Sequence, residues 1–344
     1  MAEPRTVLPN PRVTPRFGGI CTFGRYPLLR EVDASRLPVD WAVYGVPFDS
    51  GTTYHPGARF GPRAIRDASQ YLKVYHVPFD VNVTEVFSLA DAGDAQTDVF
   101  SCEKNAALVT AFAEGIGDAR HTRLLALGGD HSIALANIRA TWKRRGSPKG
   151  GLALLHFDSH VDTLDQFLGE RYSHASPFIR AIEEGLIDPR RMLSIGVKGP
   201  LNGKGDLDYA RDHGVTLVTA EEYRAGGAAT VARFLQRLGD DEAYVSFDID
   251  VADPAFAPGT GTPCVGGFTS AEILSMLRSL RGANVVGGDV VEVLPDRDVS
   301  GITAFLAAHV AFEIIALDAA RRSGTKAARS ERPAAAGALV SDAR

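Results

Sequence analysis

Cysteine is scarce in this 344-residue sequence, and its three cysteines stand far apart. Cys21, Cys102 and Cys264 form neither the even set of a disulfide framework nor the close pairs of a thiolate zinc cluster. They read as thiols of a reducing cytoplasm. No run of roughly 18 apolar residues is evident, so no membrane span is expected. The opening residues Met-Ala-Glu-Pro-Arg lack the apolar core of a signal peptide. Strong charge of one sign is also missing. A net charge of −5 without a basic cluster argues against nucleic acid and against an anionic membrane surface as partners. It agrees with a small cationic ligand. No internal repeat and no inter-domain linker interrupts the sequence, which predicts a single domain.

What the sequence does contain is alternation. Apolar stretches of strand length lie at residues 41–46, 86–92, 122–127, 151–157, 192–197, 216–219, 244–247 and 284–290. Helical patterns lie between and after them, at 63–71, 103–116, 133–143, 176–184, 228–238, 270–280 and 302–320. The pattern at 103–116 puts Leu108, Ala111, Phe112 and Ile116 on one face, and Ser270 is placed as the N-cap of the helix at 270–280. Alternation of this kind predicts an α/β fold, a single three-layer α/β/α domain with a central, mainly parallel sheet. Residues 1–38, rich in Pro and Arg, read as an N-terminal arm that packs over the body or meets a neighbouring subunit. Residues 39–322 read as the domain, and residues 323–344, small, polar and charged, as a disordered tail.

Acids and histidines collect where the apolar runs stop. Asp130 and His131 follow the run that ends at Leu127. Asp158, His160 and Asp162 follow the one that ends at Phe157. Asp248 and Asp250 follow Phe247, and Glu292 follows Val290. In open α/β sheets ligands bind at the carboxyl ends of the strands. If the chain stays extended through 158–162, residues two apart face the same way and three ligands converge. His131, Asp158, His160, Asp162, Asp248 and Asp250 supply six donors. One ion needs about four, whereas six with shared carboxylates suit two ions roughly 3.5–4 Å apart. Two cations would also let so many carboxylates stay ionised together.

These segments resemble the ureohydrolase superfamily of arginases, agmatinases and related amidinohydrolases. The resemblance rests on Gly-Gly-Asp-His-Ser at 128–132, Asp-Ser-His-Val-Asp at 158–162 and Ser-Phe-Asp-Ile-Asp-Val-Ala-Asp-Pro at 246–254. Ala-Pro-Gly-Thr-Gly-Thr-Pro at 257–263, Val-Glu-Val at 291–293 and Pro-Gly-Ala-Arg-Phe-Gly-Pro-Arg-Ala-Ile-Arg at 56–66 extend it over residues 40–320. It implies a ureohydrolase catalytic domain with two divalent metal ions, Mn²⁺ first and Ni²⁺ second. One ion would take His131, Asp158, Asp162 and Asp248, the other Asp158, His160, Asp248 and Asp250. The implied reaction hydrolyses a small cationic guanidino substrate to urea and an amine. Asp162 accepts a proton from the attacking water, Glu292 hydrogen-bonds the guanidinium, Thr262 contacts the substrate and His174 shuttles a proton to the leaving amine. A homo-oligomer, trimer or hexamer, is implied as well.

Residues 163–178 are expected to shape substrate choice, because they join the metal loop to His174. They lack the Asn and Ser pattern with which arginases recognise the α-amino and α-carboxyl groups of arginine. The stretch looks more like the agmatinase, guanidinobutyrase and guanidine hydrolase branches. Those relatives have Gly and Ser where this sequence has Ala175 and Leu294. The added carbon points to free guanidine, a short guanidino acid, or a substituted guanidine or biguanide. Tyr54, His55 and Arg171 are placed at the entrance by loop position. Two other readings are a non-catalytic partner subunit of a hetero-oligomeric ureohydrolase and a single-zinc, deacetylase-like amidase. A scaffold has no need of six ligands plus His174 and Glu292, and a single-zinc amidase needs only one ion.

Overall fold

Eight strands hydrogen-bond side by side in the computed structural model, which describes residues 4–324. They are β1 (Trp41–Val46), β2 (Leu89–Asp94), β3 (Arg123–Gly128), β4 (Leu152–Phe157), β5 (Ile187–Ile195), β6 (Thr216–Val218), β7 (Glu242–Asp248) and β8 (Asn284–Val291). Their spatial order is β2-β1-β3-β8-β7-β4-β5-β6, and every neighbouring pair runs parallel. The expected mainly parallel α/β sheet is therefore parallel throughout its described length.

Burial follows the period of two that a strand imposes. Trp41, Val43, Leu125, Leu127, Ala153, Leu155 and Phe157 enter one core. Their alternates Ala42, Tyr44, Leu124, Ala126, Leu152 and Leu154 enter the other. The first core is closed by α1 (Gly61–Ser69), α5 (Ala228–Leu238), α6 (Ser270–Ser279) and α7 (Ile302–Arg322). The second is closed by α2 (Cys102–Glu114), α3 (Ile133–Arg144) and α4 (Pro177–Glu183). Both faces are covered, so the strands can be apolar on both sides.

Some boundaries differ from expectation, each for a physical reason. Strand β5 starts at Ile187, ahead of the expected 192, because Asp188, Pro189, Arg190 and Arg191 interrupt its apolar run. Thr269, not Ser270, caps α6. Its hydroxyl accepts from the Glu272 N–H at 3.2 Å, and the Glu272 carboxylate accepts from the Thr269 N–H at 2.7 Å. Thr-x-x-Glu is the reciprocal capping pattern, and it starts one residue before Ser270. Helix α7, expected at 302–320, is long and apolar enough to cross a membrane, which corrects the expectation that no apolar run of that length is present. Its residues are mostly buried, packed against β8, α1 and α6, which accounts for their apolarity.

Residues 4–38 lie against the edge of β2. The Thr6 hydroxyl donates to the Phe87 carbonyl at 2.6 Å, the Phe23 N–H donates to Asp91 at 2.8 Å, and Leu28 forms a bridge with Asp91. Covering an exposed edge in this way removes a template for unwanted pairing. Of the expected tail, residues 325–344 lie outside the described residues.

Candidate metal and substrate site

The sheet order determines which strand ends meet. Strands β3, β8, β7 and β4 are consecutive neighbours, and Leu127, Val290, Phe247 and Phe157 are partners across them. The residues that follow leave the sheet at one height. His131, Glu292, Asp248, Asp250, Asp158, His160 and Asp162 are thereby brought together, as the sequence predicted.

The local geometry is not the extended chain that was expected at 158–162. Strand β4 ends at Phe157, and Asp158 Oδ1 then accepts the His160 N–H at 2.6 Å, closing a turn through its own side chain. Asp162 is left-handed, with φ of 50°. The Asp248–Asp250 pair repeats the device, with the Asp250 N–H donating to Asp248 Oδ1 at 2.8 Å. Glu292 is also left-handed, with φ of 64°. Such backbone costs on the order of 1–3 kcal/mol per residue and persists where the surroundings impose it. Gly129 opens the His131 turn at φ of 35°, where an added Cβ would lie 2.6 Å from the carbonyl oxygens of both Val46 and Phe48. Only glycine permits that approach.

Buried polar groups crowd the centre. His131 is fully buried, and its Nδ1 lies 3.1 Å from Asp158, 2.9 Å from Asp162 and 3.3 Å from Asp248, yet it has no hydrogen-bond partner of acceptable geometry. Its Nε2 meets the Ser246 hydroxyl at 2.8 Å, and that hydroxyl donates to Asp289 at 2.6 Å. Nδ1 is thus held toward three carboxylates that it does not satisfy, which is the arrangement a shared cation completes. His160 Nδ1 stands 3.2 Å from both Asp158 and Asp250. Asp158, His160 and Asp250 present ligand atoms within 4.8 Å of one another. His156 fixes Asp158, with Nε2 at 3.0 Å from its carboxylate and Nδ1 at 3.0 Å from Ser194.

The electrostatics agree with a donor set for cations. Burial, then Asp250 and Asp158, pushes the Asp248 pKa well above the carboxylate range, and burial with Asp158 raises Asp162. Burial opposes ionisation of Asp158, but the adjacent imidazoles of His131, His156 and His160 outweigh it and hold that group well below the range. Burial likewise opposes charge on His131 and His160, yet their carboxylate neighbours raise both well above the usual imidazole range. A metal requires these imidazoles neutral, so binding must displace protons. Affinity for Mn²⁺ or Ni²⁺ should therefore rise with pH. Between pH 6 and 8 we expect at least about a tenfold gain, read by calorimetric titration in two buffers of different ionisation enthalpy. Equal affinity at both pH values, with no buffer dependence of the heat, would contradict this assignment.

Beside this cluster, Glu292 Oε1 accepts from the His131 N–H at 2.8 Å and lies 2.9 Å from His174 Nδ1. Its Oε2 is buried without a partner. The His174 N–H donates to the Gly51 carbonyl at 2.9 Å, and the Gly51 N–H donates to Asp130 at 2.7 Å. The Thr53 N–H donates to His174 Nε2 at 3.1 Å, which leaves the Nδ1 proton for Glu292. Burial opposes charge on His174, but Glu292, Asp162 and Asp130 push its pKa up to about 9 in the chain alone. Cations beside Asp162 act against that rise. Thr262 donates to Asp250 at 3.1 Å. A cavity of about 200 Å³ opens here, and its lining includes His160, Asp162, Asp248, His174 and Thr262.

Tyr54, His55 and Arg171 are not among the residues that line this cavity. Tyr54 is 66% exposed and stacks on His55, whose Nδ1 takes a hydrogen bond from Arg297 at 3.0 Å. Arg171 reaches Glu183 at 3.1 Å. Ala175 does line the cavity, whereas Leu294 is buried behind it against Gly57 and Gly261. Thr53, His156, Ser246 and Asp289 support the site without having been expected there, and Asp130, expected at this strand end, holds the Gly51 N–H. His156 and Asp289 carried a signal, since each is a lone polar residue inside an apolar strand.

A family model described as the Arginase family matches residues 39–316. Guanidinopropionase of Pseudomonas aeruginosa is 41% identical over 305 residues, covering 88% of this chain and 93% of that protein. Proclavaminate amidinohydrolase of Streptomyces clavuligerus is 42% identical over 307 residues, covering 88% and 94%. The solved structure of the Streptomyces amidinohydrolase superposes with a TM-score of 0.82 at 39% identity, covering 90% of this chain and 100% of that one.

Proposed function

The chain belongs to the arginase family, and from that premise we infer that it hydrolyses a C–N bond of a small guanidino compound to give urea, or a urea derivative, and an amine. The observation that carries this reading is Glu292 Oε2, a buried carboxylate oxygen with no partner beside the His/Asp cluster. A buried acceptor left open calls for a donor, and a planar cationic guanidinium supplies paired N–H groups.

Two divalent cations would be held by His131, Asp158, Asp162 and Asp248 and by Asp158, His160, Asp248 and Asp250. Bound there, such a pair lowers the pKa of water into the neutral range and offsets the charge of the carboxylates. The donor set, rich in carboxylate with two imidazoles, suits Mn²⁺, with Ni²⁺ next. Asp162, which lines the cavity, takes the proton released as water attacks the guanidinium carbon. Glu292 accepts from the guanidinium and fixes its plane. Thr262 contributes a hydroxyl at the cavity wall. His174 is held by Glu292 and Thr53 and delivers a proton to the leaving amine. Arg171 is assigned no contact with substrate, because Glu183 holds it. We place the protein in the cytoplasm, in keeping with its three unpaired cysteines, and as a homo-oligomer, trimer or hexamer.

The test is release of urea from the Mn²⁺- or Ni²⁺-loaded chain across guanidine, agmatine, guanidinopropionate, guanidinobutyrate, arginine and biguanides. Urea or guanylurea is expected from at least one, with arginine a poor substrate. Silence across the whole set sinks the reading.

A further inference from the structure

Part of the cavity is lined by proposed metal ligands and by Thr53, His174 and Thr262, and the rest of its wall comes from residues with no assigned part in the reaction. These include Leu164, Phe167, Ala175, Leu201, Asn202 and Asp206. No lysine or arginine lines the cavity. The cations of the two loops are engaged or placed elsewhere. Arg171 is on Glu183 at 3.1 Å, and Lys198 donates to the carbonyls of Asp250 and Val251 at 2.7 and 3.3 Å. Lys204, in the same turn as Asp206, is exposed and outside the lining. Asp206 itself is half-buried. Its Oδ2 accepts the Asn202 N–H at 3.0 Å, and it forms no salt bridge among the described residues.

We propose that Asp206 sets the substrate class: the site takes a short guanidine whose far end is a neutral alkyl or a cationic group, and it discriminates against guanidino carboxylates. The proposal rests on the guanidino-hydrolase reading above and adds to it. A substrate carboxylate beside Leu164, Phe167, Leu201 and Asp206 would meet apolar carbon and a like charge, with only neutral polar groups such as Asn202 and no lysine or arginine to pair it. An alkyl end packs on Leu164, Phe167 and Leu201, and an ammonium pairs with Asp206. The cavity's 200 Å³ is below the roughly 300–1,000 Å³ of sites for drug-sized ligands, which keeps the far end short. Similarity to a guanidinopropionase would suggest the opposite preference, so the two expectations separate cleanly.

The experiment compares kcat/KM of the metal-loaded protein for three guanidines of matched chain length: agmatine, butylguanidine and 4-guanidinobutyrate. The acid is expected to be at least about tenfold poorer than the other two. Asp206→Asn should narrow the ratio of agmatine to 4-guanidinobutyrate by about fivefold or more, while butylguanidine changes by less than about twofold. The proposal alone is overturned if urea forms best from 4-guanidinobutyrate, or if Asp206→Asn leaves the ratio where it was. Absence of urea from every compound overturns the hydrolase reading and this proposal with it.

Discussion

Asp158→Asn is expected to lower urea release by roughly 10³-fold, equivalent to about 4 kcal/mol of transition-state stabilisation. Asp158 is wholly buried and meets His131, His156 and the His160 N–H, so it is the group both proposed ions would share. Asparagine nearly preserves its shape. It removes the charge, however, and turns one ligand oxygen into an N–H₂ facing His131, His156 or the His160 N–H. Metal analysis should show a fall from about two ions per chain to one or fewer. Added Mn²⁺ should then raise the melting temperature of the variant much less than that of the parent. Full metal content together with parental activity in this variant would remove Asp158 from the centre.

Glu292→Gln tests the other half of the site, and its signature differs. The amide oxygen can still accept the His131 N–H, so the turn that carries His131 is retained and the metal content should stay at about two. What is lost is the charge facing the guanidinium, together with one acceptor. Breaking a buried charged pair costs about 2–5 kcal/mol, which predicts a fall in kcat/KM of between about 30-fold and about 5,000-fold. The two variants separate the roles: Asp158→Asn loses metal and activity together, and Glu292→Gln loses activity with metal in place. Loss of metal in Glu292→Gln would instead mean that Glu292 acts mainly as a structural support for His131.

Much of this site was legible before any coordinates. The strand ends could be read because apolar runs stop abruptly at Leu127, Phe157, Phe247 and Val291, and chemistry-bearing residues follow each one. What could not be read was how the turns converge. Asp158, His160 and Asp162 meet through a side-chain-closed turn and a left-handed Asp162, neither of which leaves a mark in hydrophobic pattern. The adjacency of β3, β8, β7 and β4 was equally hidden, because period and composition say which strands exist and not which pair. Tyr54, His55 and Arg171 show the same limit at the surface. Their directions follow from Arg297 and Glu183, partners far along the chain or on another element. The part of the cavity wall drawn from residues 200–206, a stretch without a clean period, gave no warning at all.

The central claim is that these six ligands hold two cations that act together on a guanidino carbon. Urea release titrated against metal equivalents tests it most directly, using the metal-stripped chain, Mn²⁺ or Ni²⁺, and whichever guanidino compound is turned over. The account predicts activity that rises to a plateau at about two equivalents per chain. A plateau at about one equivalent, or urea formed by the stripped chain in the presence of chelator, would contradict it.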